Sequence, residues 1–316
     1  MSDSSRVSFF APFVSVLVPV FNDSERLKIC LEALENQTYS PNLYEVIVVD
    51  NGSDEDVKSA VSQFAWAIVV YESRAGSYAA RNHGISLARG DILAFTDSDC
   101  IPAEDWIENG VANLMQVPNC GLVAGKIEIY FKDPNHPTAV ELYDQMIAFP
   151  QKSYVEKEKF AVTANLFTFR SVLDEIGLFK DMLASGGDFE WGRRVFSAGY
   201  RQIYADNTRV AHPARSSLSK ISQKATRVIG GHFELSQQAN SHQTIFDILK
   251  EFAQDLKPPR KDIINVYSNK KLTKFSQKLK VISVLLFVRY LRAWKKLELN
   301  FMYCSHPNYL SNNSKT

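Results

Sequence analysis

The sequence predicts an α/β fold, a doubly wound and mostly parallel sheet with a C-terminal helical extension. Three observations predict it. Four short β-branched runs, VSVLVPV (14–20), EVIVVD (45–50), AIVVYE (67–72) and DILAFT (91–96), lack polar alternation, as strands buried on both faces do. Segments with helical spacing separate these runs, which is the pattern of a wound parallel sheet. From about residue 213 onward the chain reads as helical and basic. In such a sheet the ligand site lies at the carboxyl ends of the strands, and Asn22, Asp50 and Asp97 fall at or just beyond those ends.

In DSERLKICLEALENQ the residues Leu27, Cys30, Leu31 and Leu34 form one apolar stripe, with Asp23 or Ser24 as the N-cap. SYAARNHGISLAR, ended by Gly90, is a second crossover helix. A helix over about 104–116 puts Trp106, Ile107, Val111, Leu114 and Met115 on one side, and LVAGKIEIYF after it reads as a strand. A polar helical stretch, the segment AVTANLFTFR and then SVLDEIGLF follow. GGDFEWGRRVFSAG reads as a helix opened by Asp188 and closed by Gly199, leading to two strands, YRQIYA and TRVAH. The expected domains are an N-terminal tail (1–12), a catalytic domain (13–215) with a nucleotide-binding half (13–100) and an acceptor half (101–215), a helical basic extension (216–303) and a flexible tail (304–316).

The net charge of +1 conceals an uneven distribution, because residues 257–296 carry twelve Lys or Arg against one acid, Asp262. An acidic body thus bears a basic segment suited to a polyanionic surface. The scattered cysteines Cys30, Cys100, Cys120 and Cys304 form no C-x-x-C pair, which suits a reducing compartment. MSDSSRVSFFAPF lacks the pattern of a signal peptide. The apolar run VISVLLFV (281–288) falls short of the roughly 20 residues that span a bilayer, so no transmembrane helix is expected. These features make a cytoplasmic location the expectation, with peripheral attachment to the cytoplasmic membrane face open to the chain.

The chemistry-bearing residues cluster at strand ends. Asp97 and Asp99, flanking Ser98, project to the same side of an extended chain, and such a pair suits a hard divalent ion shared with substrate phosphates. The plainer reading is a surface turn in which Asp99 caps the next helix. Asp50 and Asn51, before Gly52 and Ser53, suit a nucleobase imide or ribose hydroxyl, or simply a tight βα turn. Pro19, Phe21 and Asn22 would form another wall of a base pocket, while Arg74 and Arg81 suit phosphates. Asp188 combines two roles that are compatible, N-cap and general base. Glu190 and Trp191 are then acceptor-side candidates or plain helix contacts. His212 is a structural histidine or a further metal ligand.

In chain order, VSVLVPVFND, EVIVVDNGSDED, GSYAARNHGISLARGDILAFTDSDCIP, GGDFEWGRRVFSAGY and VAHPAR resemble the family 2 glycosyltransferases, inverting enzymes of the GT-A fold. The resemblance implies that Pro19, Phe21, Asp50 and Arg81 surround the donor nucleoside, a UDP-sugar foremost. It implies Asp97 near the ribose and metal, Asp99 as the direct ligand of Mg²⁺ or Mn²⁺, and His212 as a further ligand. Asp188 matches the acceptor-activating aspartate. Gly187 stands where that family often has glutamate, which shifts the acceptor contact toward Glu190. The implied reaction moves a sugar to a glycan or lipid-linked hydroxyl of the cell envelope. A non-catalytic scaffold of the same fold that binds nucleotide sugar or membrane is the alternative, and the intact Asp97, Asp99 and Asp188 argue against it.

Two basic segments extend the reading. SSLSKISQKATRVIGGHF is amphipathic and would bring Lys224 or Arg227 to a diphosphate as a lid. Within 286–297, Leu286, Phe287, Tyr290, Leu291, Trp294 and Leu297 fall on one helical side and Arg289, Arg292, Lys295 and Lys296 on the other. This suits either an anionic membrane surface, reached through 257–297, or packing on the rest of the chain. No nucleic-acid partner is expected, because the apolar side suits lipid better. A dehydrogenase is disfavoured, because no G-x-G-x-x-G follows the first strand.

Overall fold

The computed structural model describes residues 11–238, 245–270 and 272–305, so most of the expected 1–12 and 304–316 tails lies outside the described residues. Strands β1 (Val14–Val20), β2 (Tyr44–Asp50), β3 (Ala67–Tyr71) and β4 (Ile92–Thr96) pair in parallel, joined by helices α1 (Ser24–Glu35), α2 (Val57–Val61) and α3 (Ser77–Leu87). After the short β5 (Ile101–Pro102) come α4 (Trp106–Gln116) and β6 (Cys120–Tyr130), then α5 (Ala139–Ile147) and the single turn α6 (Gln151–Ser153), which runs into a π-helical turn over Tyr154–Glu158. β7 (Asn165–Phe169), α7 (Arg170–Ile176), α8 (Gly187–Ser197) and β8 (Arg201–Pro213) follow. The eight strands form one mixed sheet, ordered β3-β2-β1-β4-β7-β6-β8-β5, in which β7 runs antiparallel to β4 and β6. This is the expected α/β class, with the antiparallel strands gathered on the β5 side of β4.

Burial explains why these runs became strands. Val16, Leu17, Val18, Val46, Ile47, Val48, Leu93, Ala94 and Phe95 are all sealed from solvent. At the amino end of the sheet, Ser15 Oγ donates to Glu45 at 2.6 Å, and the Arg89 backbone and guanidinium donate to the same carboxylate at 2.7 and 2.9 Å. Burial pushes the Glu45 carboxyl up, but the Ser15 and Arg89 bonds outweigh it and hold the group below its ordinary range. A Cβ at the adjoining Gly90 would stand 2.5 Å from the Ser15 nitrogen and 2.7 Å from the Ile92 carbonyl, so only glycine lets the chain enter β4 there.

Further along the sheet, Asn165 is a hub. Its amide accepts from Trp106 Nε1 at 2.9 Å and donates to the carbonyls of Lys126 and Thr208, tying β7 to β6 and β8. Gly125 is required opposite it, since a Cβ would run into that amide. Two expectations change. Met115 is exposed rather than on the buried side of α4, where Gly110 instead lies against the Phe167 ring. The two predicted strands YRQIYA and TRVAH are one continuous strand, β8, of 13 residues.

The chain divides into two compact units. One gathers residues up to Ile127, Gln151–Phe179 and Phe189–Ala211; the other gathers Glu128–Pro150, Lys180–Asp188 and the chain from His212. The second is built from α5, α9 (Leu218–Gln238), α10 (Ile245–Asp255), α11 (Arg260–Ser268) and the 31-residue α12 (Phe275–Ser305). Its core joins Val140, Leu142 and Tyr143 of α5 to Ile221 and Ala225 of α9 and to Val281, Val284, Leu285 and Val288 of α12. Thr138 starts α5 with a capping box, exchanging bonds with Glu141.

Candidate active site

The carboxyl ends of β1, β2 and β4 carry the predicted nucleotide side. Asn51 N bonds to the Val20 carbonyl, and Asp50 Oδ1 accepts from Ser53 N at 2.9 Å, closing a turn in which Gly52 takes φ +83°. Asn22 adopts φ +49° and ties this turn to the end of β1: its backbone N–H donates to Ser53 Oγ, and its Oδ1 accepts from Asp54 N. Phe21 is 61% exposed at that edge, an aromatic face turned to solvent beside the turn. Pro19 pairs in register with Val49 and is half-buried.

Asn51 plays a different part from the one expected. Its amide donates to the carbonyls of Glu72 and Arg74 and accepts from Gly76 N, so it clamps the loop before α3 rather than offering a free edge to a base. Arg74 is likewise engaged, donating to Glu72 through Nε and Nη2. Sequence reasoning missed Tyr71. This exposed ring ends β3, and its hydroxyl would lie 3.8 Å from a Cβ at Gly52.

The acidic pair stands at the end of β4. Asp97 Oδ1 meets Arg81 Nη2 at 2.5 Å, and that arginine is almost fully buried on α3, with Nη1 donating to Ser77 O and its guanidinium over the Tyr78 ring. Its Nε has no partner among the described residues. The structure therefore directs Arg81 to the carboxylate rather than to the nucleoside wall. Asp99 Oδ2 lies 3.6 Å from Arg26 Nη1, and Arg26 Nε bonds to Asp23 at 2.8 Å. Ser98, between the two acids, is buried. The field of the pair is felt beneath it. Burial, then Asp99 and Asp97, push the Cys30 and Cys100 thiols far above their ordinary range, so both are inert apolar packing.

Hard carboxylate oxygens in this setting fit a divalent cation completed by substrate phosphates. Among the described residues, no three His, Cys, Asp or Glu side chains gather to hold a metal. His212 was a candidate third ligand. It is buried, its ring lies 4.7 Å from that of Phe149, and Nδ1 sits 2.8 Å from the Pro213 carbonyl.

Asp188 is the second residue of α8 and half-buried. The helix is pinned by Trp191, which is a core residue: it is sealed from solvent, donates Nε1 to the Gly177 carbonyl at 3.0 Å and packs on Phe179. Burial thus removes Trp191 from the acceptor candidates. Glu190 is also occupied, bonded to Arg194 Nε at 3.0 Å while Arg194 reaches the carbonyls of Ile176 and Leu178. Both residues hold α8 in place. Gly199 closes the helix at φ +90°, as expected. Sequence reasoning also missed Gly231 on α9, where a Cβ would collide with the Ser185 carbonyl just before Gly186 and Gly187.

The predicted lid residues belong to a basic cluster in the helical unit. Phe149, a non-glycine at φ +49°, carries Lys224 Nζ 4.7 Å from its ring centroid and the Arg215 guanidinium at 5.6 Å. Asp144 is fully buried and bonded to Arg215 through both backbone and side chain. Burial foremost, then Arg215, Arg227 and Arg292, with Asp144 opposing, push the Lys224 ammonium down to about 8.

The sequence model of glycosyl transferase family 2 matches residues 15–177, which contain the turns and the acidic pair just described. The chain belongs to glycosyl transferase family 2. It is 40% identical over 229 residues to glycosyltransferase AglE of Haloferax volcanii, covering 71% of this chain and 74% of that one. A dolichyl N-acetyl-α-D-glucosaminyl phosphate 3-β-D-2,3-diacetamido-2,3-dideoxy-β-D-glucuronosyltransferase of Methanococcus voltae is 23% identical over 66% of this chain and 69% of its own. Among solved structures, the Pyrobaculum calidifontis mannosyltransferase PcManGT, in complex with GDP-Man and Mn²⁺, aligns with a TM-score of 0.58 and 19% identity over 96% of this chain and 89% of that one. The family 2 chain described here is thus a glycosyltransferase with the GT-A fold.

The Arg81–Asp97 pair generates a test. Arg81→Met leaves a part-buried carboxylate without its cation and should cost about 3 kcal/mol in urea unfolding. The double variant Arg81→Met/Asp97→Asn should recover a good part of that loss. Independent, additive effects of the two substitutions would show that the pair is not coupled.

Proposed function

We propose that this glycosyltransferase is metal-dependent and inverting, and that it moves a sugar from a nucleoside-diphosphate donor to a hydroxyl of a glycan or lipid-linked acceptor at the cytoplasmic face of the membrane. The observation that carries the reading is the acidic pair at the end of β4, braced by Arg81 and Arg26 beside a turn built on Asp50. Asp99, with Asp97, would hold Mg²⁺ or Mn²⁺, and such an ion supplies charge neutralisation for the departing diphosphate. The complex of PcManGT with GDP-Man and Mn²⁺ supports this donor class, and it widens the base from uracil to guanine. The Methanococcus voltae relative, named for a dolichyl-phosphate-linked acceptor, supports a lipid-linked acceptor here.

In this reading Phe21 and Pro19 flank the base, Asp50 accepts from the base or ribose, and Asn22 and Asn51 shape the turns that carry them. Asp188 takes the proton from the acceptor hydroxyl. The freed oxygen lone pair attacks the anomeric carbon from the side opposite the leaving group, and the carbon–oxygen bond to the diphosphate breaks with its electron pair going to phosphate. One displacement inverts the centre. Gly231 lets α9 approach the loop preceding that aspartate, making it a positioning residue. The sequence further nominates His212 as a metal ligand and Lys224 or Arg227 as a lid residue for the diphosphate.

Asp188→Asn should bind the donor within about twofold of the parent, read by titration calorimetry, and lose transfer by about a thousandfold or more. Near-parental transfer by this variant would remove Asp188 from the chemistry. Lys224 gives a pH signature. It is charged below about 8 and neutral above, so affinity for the free nucleoside diphosphate should weaken as pH rises through that value. Lys224→Met should bind about tenfold more weakly at pH near neutrality, the scale of one charge-assisted hydrogen bond, and its pH profile should be flat. A profile unchanged by the substitution would place the diphosphate elsewhere.

A further inference from the structure

Helix α12 has two apolar faces, and only one is used by the fold. Val281, Val284, Leu285 and Val288 enter the core with α5 and α9, and Ala293, Lys296 and Leu297 line the contact with α10. Leu279, Phe287, Tyr290 and Trp294 fall on the remaining side, within roughly one quarter of the helix circumference at 3.6 residues per turn. All four are exposed, Trp294 to 61%. The outward face of a helix in a water-soluble bundle is ordinarily polar, so an exposed, largely aromatic ridge about 22 Å long asks for a partner.

The charges beside the ridge identify that partner. Lys257, Arg260, Lys261, Lys270, Lys274 and Lys280 are exposed and make no ion pair among the described residues. By contrast Lys295 and Lys296 are neutralised within the unit by Glu298, Glu251 and Asp255. These cations therefore lie on and around α11 and at the amino-terminal end of α12. Tyr267 of α11 packs against Phe275, and Lys278 Nζ donates to the Tyr267 carbonyl, so α11 and the start of α12 present one surface. No helix among the described residues is long and apolar enough to cross a membrane. Tyr and Trp with Lys and Arg, on a helix that cannot span, are the chemistry of the headgroup layer. A second copy of the chain would bring like charges face to face.

We infer that the outer face of α12, from Leu279 to Trp294, together with the basic surface around α11, docks on an anionic phospholipid bilayer and inserts its aromatic rings at headgroup depth. The valine face, facing inward, keeps the bundle folded while the ridge is in lipid. This binding needs neither donor nor metal, so it is read without turnover and its failure is separate from any failure of the transfer reading.

The test is cosedimentation of the full chain with phosphatidylcholine vesicles, with and without phosphatidylglycerol. The parent should partition onto the anionic vesicles and be released by high salt. Phe287→Glu/Trp294→Glu should lose at least about tenfold in partitioning, and Lys274→Glu/Lys280→Glu a comparable amount on anionic vesicles only. Circular dichroism of both variants should match the parent. A parent that stays in the supernatant with every vesicle overturns the inference, as does undiminished binding by the aromatic variant. Self-association of the parent in solution, abolished by the aromatic pair of substitutions, would overturn it in favour of a second copy.

Discussion

Two carboxylates one residue apart at the mouth of a parallel sheet impose the constraint on which the nucleotide side depends. Unbalanced, Asp97 and Asp99 would repel one another above a floor of apolar side chains and two un-ionised thiols. The chain balances them differently. Asp97 has a buried guanidinium at contact distance, fixed by a Ser77 carbonyl and the Tyr78 ring. Asp99 has a looser and more exposed one, shared with Asp23. The two acids are thus held unequally, Asp97 by a buried guanidinium at 2.5 Å and Asp99 by a part-exposed one at 3.6 Å.

The same economy runs through the helical unit. Asp144 is satisfied by Arg215, and Lys224 stands over the ring of a strained Phe149, where burial first and then the nearby arginines push its ammonium pKa down. Burial alone would favour a neutral lysine, and the neighbouring arginines push the same way. Further along, α12 reconciles two demands on one helix by dividing them between faces, valines inward and aromatic rings outward.

Much of this was legible in the sequence. The β-branched runs gave the parallel strands because a segment buried on both faces has no alternative composition, and Gly199 ended its helix because only a left-handed residue fits there. Spaced motifs pointed to the family. Less legible were the parts fixed by contacts distant in the chain. Trp191 and Glu190 follow Asp188 in sequence and were natural acceptor candidates, yet the helix turns them toward Gly177, Phe179 and Arg194. Arg81 and Asn51 were assigned to the donor for their chemistry, whereas Asp97 and the loop before α3 claim them. Tyr71, Arg26, Phe149 and Gly231 carried no local signal, since their roles arise only when strands and helices separated in sequence are brought together. The face of α12 was read as one stripe because hydrophobic periodicity cannot distinguish a side chain facing a core from one facing solvent.

The central claim is that the β4 carboxylates bind a divalent ion jointly with a diphosphate. Electron paramagnetic resonance of free Mn²⁺, titrated with the protein in the presence and absence of nucleoside diphosphate, tests it directly. Two carboxylates facing guanidiniums should bind the ion weakly alone and at least about tenfold more tightly once phosphate oxygens complete the shell. Manganese binding that is indifferent to the nucleotide, or absent with it, would contradict the account.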